Sequence, residues 1–283
     1  MAAGAIEWFH GAASRIRRWP FLAKQRWLWS RVEPTWNSLL DRATRERGIL
    51  VHVNGDRLRL TYTYGARYSK TGYEPRVHDV FARGIEPEMV VFDIGAHIGF
   101  FTLAAALRVG PNGRVLAFEP APDTAATLAR HVAMNGWHDR VEIIEAVVSD
   151  KEGSVPFYVH GETMAAALIR ENIELLSPEE FDSSLLEIEI SSVTLDSVCA
   201  TRGIQPDRIK IDVEGAELLV LQGAASVLRS RAEVLCELHP NAMSFFGYGP
   251  ADLEALVLEC GRRLERIDDP NELGIFHALI VPA

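Results

Sequence analysis

The sequence predicts an α/β protein with a doubly wound sheet, and three observations predict it. An apolar run over Met89–Ile94 ends in a turn with two glycines and resumes as a helical segment, giving strand, turn and helix within Met89–Phe101. Apolar strand-like segments then alternate with helical ones through the rest of the chain, the pattern of a sheet with helices on both faces. Several strands end in an acidic residue, at Asp93, Glu119 and Asp212. Carboxyl ends of strands in an open α/β sheet are where ligands gather.

Composition sets the bounds. A chain of 283 residues can hold one large domain with additions. Three regions are expected: a basic, Trp-rich helical extension over 1–48, a β-hairpin with a connecting segment over 49–88, and the main domain over 89–283. Cys199, Cys236 and Cys260 stand singly with no C-x-x-C. That pattern suggests neither a disulfide framework nor a zinc site. With no apolar run of 18 residues and no signal-peptide pattern, the expected compartment is the cytoplasm. The net charge is −10, yet residues 1–50 hold nine Lys/Arg against four Asp/Glu and the remainder 20 against 35. An acidic body argues against a nucleic-acid partner, which wants a basic face.

Five of the six tryptophans fall in the extension, at Trp8, Trp19, Trp27, Trp29 and Trp36, among Arg15, Arg17, Arg18, Lys24, Arg26 and Arg31. Ile6, Phe9, Ala13 and Ile16 repeat at helical spacing, so three readings stand: a helical cap packed on the body, a helix in weak contact with a membrane surface, or a lid over a greasy substrate. From Ile49 to Tyr64 the chain alternates either side of Asn54-Gly55, a strong hairpin signal. Residues 65–88 read as a loop and short helix, in which Tyr73 and His78 are either packing groups or pocket lining.

The turn at Asp93–Gly99 suits a charged cofactor. Gly95 and Gly99 let the backbone bend and let a bulky group approach, and the following helix aims its unpaired N–H groups at the turn. A dinucleotide fingerprint needs G-x-G-x-x-G, so pyrophosphate is disfavoured. Asp93 would instead attract an ammonium, which S-adenosylmethionine carries. The strand Arg114–Phe118 ends in Glu119, followed by Pro120, where an acid accepts ribose hydroxyls.

Pro122–Asn135 reads as an amphipathic helix closed by Gly136. A third strand runs Val141–Val147, and its end is expected beside the first strand, with Val147 against an adenine and Ser149 in reach of the base. Ser154–His160 and Leu186–Val193 alternate with period two and read as an extra strand pair carrying a long loop, with Met164, Ser177 and Pro178, that meets the acceptor. After a helix over Thr194–Thr201, the strand Arg208–Asp212 opens K-I-D-V-E-G-A-E. Alternation puts Lys210, Asp212 and Glu214 on one side. A helix over Gly215–Ser230 follows, capped by this acidic cluster. The strand Ala232–Leu238 then brings His239 to meet Asp212. A helix over Pro250–Cys260 and strands over Arg262–Ile267 and Ile275–Val281 close the chain.

With D-I-G-A-H-I-G-F at 93–100, Glu119 and K-I-D-V-E-G-A-E at 210–217, the sequence resembles the FkbM family of S-adenosylmethionine-dependent O-methyltransferases over about Val90–Val281. The resemblance implies the class I methyltransferase (Rossmann-like) fold, a seven-stranded sheet whose last strand is antiparallel, matching the strand count. It implies methyl transfer to a small-molecule hydroxyl, commonly of a sugar, glycolipid or polyketide. Asp93, Gly95, Ala96 and Gly99 correspond to the cofactor turn, Glu119 to the ribose acid, and Asp212 and Glu214 to the signature acids. His97 departs from the family's usual Asn and becomes a pH-sensitive contact.

Such a transfer needs the acceptor's proton removed. His239 or Asp212 is the expected base, with Glu214 in the site wall or bonded to the acceptor. Asp212, Glu214 and Glu237 are oxygen donors hard enough for a divalent cation, but no metal is expected. The rival readings are a nicotinamide oxidoreductase, which the glycine count disfavours, and a non-catalytic membrane or scaffold protein on the same core.

Overall fold

The computed structural model describes residues 35, 38–42, 44, 47–160, 166–169 and 185–283. The tryptophan-rich stretch and its three readings lie outside them, as do Met164, Ser177 and Pro178 of the long insertion. The chain divides into two compact units, residues 1–75 with 133–136, and residues 76–132 with 137–283. Among the described residues no helix is long and apolar enough to cross a membrane.

In the first unit, β1 (Ile49–Val53) and β2 (Asp56–Leu60) pair antiparallel from Ile49↔Leu60 to Val53↔Asp56. The turn follows from its two central residues. Asn54 and Gly55 have φ of 50° and 91°, the left-handed pair a type I′ hairpin demands. The strand ends at Leu60, four residues short of the expected Tyr64. The Asp41 carboxylate accepts the Tyr62 N–H at 2.5 Å and the Thr63 hydroxyl at 2.7 Å, starting helix α1 (Tyr62–Thr71) where alternation alone would extend the strand. Tyr73 packs its ring 4.8 Å from Tyr68.

The second unit begins in α2 (Pro75–Arg83), so residues 65–88 hold parts of two helices rather than a loop and one short helix. His78 on α2 is buried against the rings of Phe100 and Phe101 and serves packing. The central sheet has seven strands in the order β12-β13-β11-β10-β3-β4-β5. These are β3 (Val90–Ile94), β4 (Arg114–Phe118), β5 (Val141–Ile144), β10 (Arg208–Ile211), β11 (Glu233–Leu238), β12 (Arg262–Arg266) and β13 (Phe276–Pro282). Only β13 runs antiparallel to its neighbours. The sheet is thus the α/β architecture expected, last strand included.

Alternation along β3 explains how one strand serves core and site together. Phe92 and Ile94 join a cluster with Leu116, Phe118, Ile209, Ile211 and Val234, covered by helices α5 (Leu195–Arg202), α6 (Glu217–Gln222), α7 (Ala225–Leu228) and α9 (Pro250–Glu259). Each such fully buried side chain contributes about 1.5–3 kcal/mol. Asp93 points the other way, paired in register with Lys210 of β10, toward α3 (Phe100–Val109).

Three segments depart from expectation. The third strand stops at Ile144, whose carbonyl accepts both Glu119 N–H and Ala146 N–H, so the chain bends there. Val147–Val148 becomes β6 of a separate four-stranded sheet with β9 (Leu185–Val193), β7 (Gly153–His160) and β8 (Ala166–Ala167). β7 and β9 are the anticipated extra pair, joined over eight register positions. Second, β5 borders β4, not the first strand of the motif, so its end lies one strand further out than expected. Third, the helix after K-I-D-V-E-G-A-E is broken into α6 and α7 at Gly223, where the Ser149 carbonyl approaches so closely that a Cβ would lie 2.0 Å from it.

Candidate active site

The cofactor turn is built by close approaches within the protein. Gly95, His97 and Gly99 have φ of 77°, 49° and 91°, three left-handed residues in five. A Cβ on Gly95 would stand 1.7 Å from the Asp212 carbonyl oxygen and one on Gly99 2.1 Å from Leu128 Cδ1. The glycines therefore admit the end of β10 and a side chain of α4 (Pro122–Asn135). Ala96 is buried and its N–H, like that of Gly95, donates to the Phe118 carbonyl, tying the turn to β4. His97 sits where its φ favours Asn, Asp or His over other side chains.

Asp93 is buried, with Oδ2 accepting the Thr102 hydroxyl at 2.5 Å while Oδ1 is shielded from water and accepts nothing among the described residues. Burial raises its pKa, against the pull of the Lys210 charge. Glu119 is buried too. Its Oε2 accepts the His97 N–H at 2.8 Å and Oε1 the Ala121 N–H at 2.9 Å, which fastens the carboxylate and leaves each oxygen a further lone pair. Burial pushes its pKa to about 7 despite those two donors. Pro120 follows Glu119 in the segment between β4 and α4. Val147 packs with Ala121 and Phe157. Ser149, just past β6, gives its N–H to the Val193 carbonyl and its hydroxyl to Asp150, so Val147 belongs to the small sheet and Ser149 borders it.

The second group gathers at the ends of β10 and β11. Lys210 is 2% exposed, donates to Asp212 Oδ2 at 2.8 Å and lies 4.5 Å from the Phe101 ring. Burial alone would raise Asp212, but the Lys210 ammonium, then His239, hold its carboxyl down at about 2. Glu214 does not continue an extended chain as alternation implied. Its φ is 54°, a strained left-handed value for a glutamate. That bend aims Oε2 at His239 Nε2, 3.2 Å away. The side chain is 42% exposed, yet Oε2 itself is shut off from water.

His239 meets Glu214 more closely than the expected Asp212, whose Oδ1 is 4.0 Å from Nε2. Its other nitrogen, Nδ1, lies 2.7 Å from Glu217 Oε1. Burial disfavours the imidazolium, but the Glu217 hydrogen bond and the charges of Glu214, Glu217 and Asp212 raise His239 to about 10. Glu214 is raised by burial to about 7, with His239 opposing the shift and Asp212, Glu237 and Glu217 adding to it. Glu237 stands 3.8 Å from His239 Nε2 and 3.2 Å from His277 Nε2.

Glu217 is the residue that sequence reasoning missed. It stood in the motif but read as a helix cap, because the helix start hid a contact to a histidine 22 residues away. Thr102 and Tyr248 carried no signal at all. Tyr248 gives its hydroxyl to the Gly215 carbonyl at 2.7 Å, and Ala242 of α8 (Pro240–Met243) lies so close that a Cβ on Gly215 would be 2.7 Å from its own.

One atom each of Asp212, Glu214 and His239 lies within 4.8 Å of the others, near enough to converge on a small cation. The Lys210 ammonium beside Asp212 would repel an ion placed there. The buried Asp93 Oδ1, with no donor among the described residues and six residues before Gly99, the N-cap of helix α3, fits an ammonium-bearing group instead. Chemically, the β3 and β4 side of this edge can hold a cationic, hydroxyl-bearing ligand while the β10 and β11 side moves a proton.

The family model described as Methyltransferase FkbM domain matches residues 93–264. The chain is 36% identical over 177 residues to the 31-O-demethyl-FK506 methyltransferase FkbM of Streptomyces tacrolimicus, covering 55% of this chain and 67% of that one. It is 29% identical over 154 residues to the methyltransferase sdnD of Sordaria araneosa, covering 47% and 59%. Among solved structures, a SAM dependent methyltransferase from Aquifex aeolicus aligns with a TM-score of 0.41 and 15% identity over 76% of this chain and 96% of that one. A likeness that slight adds nothing to the strand order.

Proposed function

Because the chain belongs to the FkbM methyltransferase family, we propose that it is an S-adenosylmethionine-dependent O-methyltransferase acting on a hydroxyl of a sugar, glycolipid or polyketide-type small molecule. The oxygen acceptor is supported by the name of the Streptomyces tacrolimicus relative, which specifies a 31-O position. The observation that carries the reading is the pairing of a buried Asp93 oxygen that meets no donor among the described residues with a Glu214–His239 contact at the same sheet edge.

What S-adenosylmethionine supplies when bound is an electrophilic methyl group on a sulfonium. Asp93 and the first N–H groups of α3 would hold its amino-acid end, and Glu119 its ribose hydroxyls. Pro120 and Val147 would wall the adenine, with Ser149 near the base. On the protein's side, the acceptor hydroxyl loses its proton to Glu214, whose pKa of about 7 matches a neutral operating pH. Asp212 is the weaker candidate, since Lys210 stabilises its ionised form. His239, charged beside Glu214, orients that carboxylate and offsets the surrounding acids. Glu214's strained backbone supports this role, because such strain persists where function requires it.

Calorimetry of the purified chain with adenosylhomocysteine tests the proposal. Heat of binding that disappears in Asp93→Asn is the expected result, and no heat in the unaltered chain overturns it.

A further inference from the structure

We infer that Glu217 is the positioning residue of the transfer site, fixing both members of the Glu214–His239 pair through one oxygen. The inference rests on the methyltransferase reading for its role in turnover, while its structural half stands alone.

Glu217 has no exposed surface, and its Oε2 meets no partner among the described residues. Burying a carboxylate costs several kcal/mol unless something compensates it. The compensation lies entirely at Oε1, which accepts the Gly215 N–H at 2.9 Å and faces His239 Nδ1 at 2.7 Å. Those two donors belong to different strands' ends. Gly215 follows Glu214 directly, so the first bond pins the turn that bends Glu214 to φ 54°. The second bond turns the imidazole so that Nε2 faces Glu214. One carboxylate thereby sets the distance between base and cation.

Gly215 is fixed from other sides as well, by the Tyr248 hydroxyl on its carbonyl and by Ala242 against its Cα. The turn would hold its place with a neutral side chain at 217. A helix cap needs only the Gly215 bond; the contact to His239 is surplus to it. A six-residue helix gains little from a charge at its start.

Glu217→Gln separates the two roles, since a glutamine oxygen still accepts the Gly215 N–H at nearly the same volume but carries no charge toward His239. The charged groups facing His239 are Glu217 at Nδ1 and Glu214, Glu237 and Asp212 at Nε2. Three carboxylates remain in the variant, so His239's protonation midpoint should fall by about one unit or more rather than return to that of a free imidazole. ¹⁵N spectra of the histidine side chain in the full chain read that midpoint directly. With an acceptor that turns over, kcat should drop roughly tenfold or more while the acceptor KM stays within about twofold.

An unchanged His239 midpoint, or a shifted midpoint with unchanged kcat, overturns the inference and leaves Glu217 a helix cap. Absence of adenosylhomocysteine binding in the unaltered chain would instead sink the methyltransferase reading, and the spectra would still report on Glu217.

Discussion

Asp93 and Glu119 close β3 and β4; Asp212, Glu214 and Glu237 lie just beyond or within the ends of β10 and β11, on the same edge of the same sheet. The first pair forms no ion pair among the described residues, and burial raises both carboxyls. Each of the second group has a cation at hand, Lys210 for Asp212, His239 for Glu214 and His277 for Glu237. A strand-end carboxylate is thus not one kind of site. Where no ion pair forms among the described residues, the acid is arranged for a ligand that brings a donor or a positive charge. Where a histidine faces the acid, as His239 faces Glu214, the pair is arranged to exchange a proton.

The largest expected effect breaks the transfer edge. Glu214→Gln keeps size and hydrogen bonding but cannot take a proton, and should lower turnover by ~10²–10⁴. Donor affinity should not change, because Glu214 lies outside the group that would hold the cofactor. Steady-state kinetics with calorimetry on the same preparation checks both halves. Turnover within threefold of the unaltered chain would mean that this edge performs no acid–base work, and the contrast with β3 and β4 would vanish.

Removing the internal cation tests the contrast from the side of stability. Lys210→Met leaves Asp212 charged without its nearest partner in a buried setting, a loss of about 3–5 kcal/mol. Urea unfolding at neutral pH would measure it. The Asp212 contribution is present above the ordinary carboxylate range and is lost as pH falls toward 2, so the two chains should converge in acid. A loss under 1 kcal/mol at neutral pH would show that Asp212 does not depend on Lys210.

How much of this was legible in the sequence follows from which contacts are local. The strand Arg114–Phe118 and the helix Pro122–Asn135 came out at their observed ends, because apolar runs and helix signals are written along the chain. Asp93, Glu119 and the acids after β10 were visible as strand-end carboxylates for the same reason. The hairpin's early end was hidden because Asp41 reaches it from 21 residues upstream. The third strand's break was hidden because Val147–Val148 pairs with Val193, 45 residues on. Glu217 was seen and misjudged, since its helix position explained it without reference to His239. Long-range hydrogen bonds to side chains leave no period in the sequence.

At the ligand edge the effect is smaller and carries its own pH signature. Glu119→Gln should weaken donor binding by about 1.5–3 kcal/mol, the span of a hydrogen bond to a charged acceptor. In the unaltered chain Glu119 has a pKa of about 7, so affinity should decline as pH is lowered from 8 to 6, when the protonated carboxyl loses acceptor capacity. The variant should be flat over that range. Calorimetry at three pH values distinguishes the outcomes, and a slope that survives in Glu119→Gln assigns the titration to another group.

The smallest effect expected is at His97, and it decides whether an imidazole belongs to the ligand edge. The residue contributes its main-chain N–H to Glu119, a bond that any side chain leaves intact, and its φ of 49° is one that asparagine also adopts readily. His97→Asn should therefore leave thermal stability within about 0.5 kcal/mol and donor affinity within threefold. His97→Val keeps the same N–H but forces a β-branched side chain into the left-handed region, at a cost of about 1–3 kcal/mol. Stability lost in valine but not asparagine locates the requirement in the backbone. A tenfold loss of affinity in asparagine would place the imidazole itself against the ligand. The side with β3 and β4 would then hold an imidazole as well as its two carboxylates, and the division between a ligand edge and a proton edge would have to be drawn elsewhere.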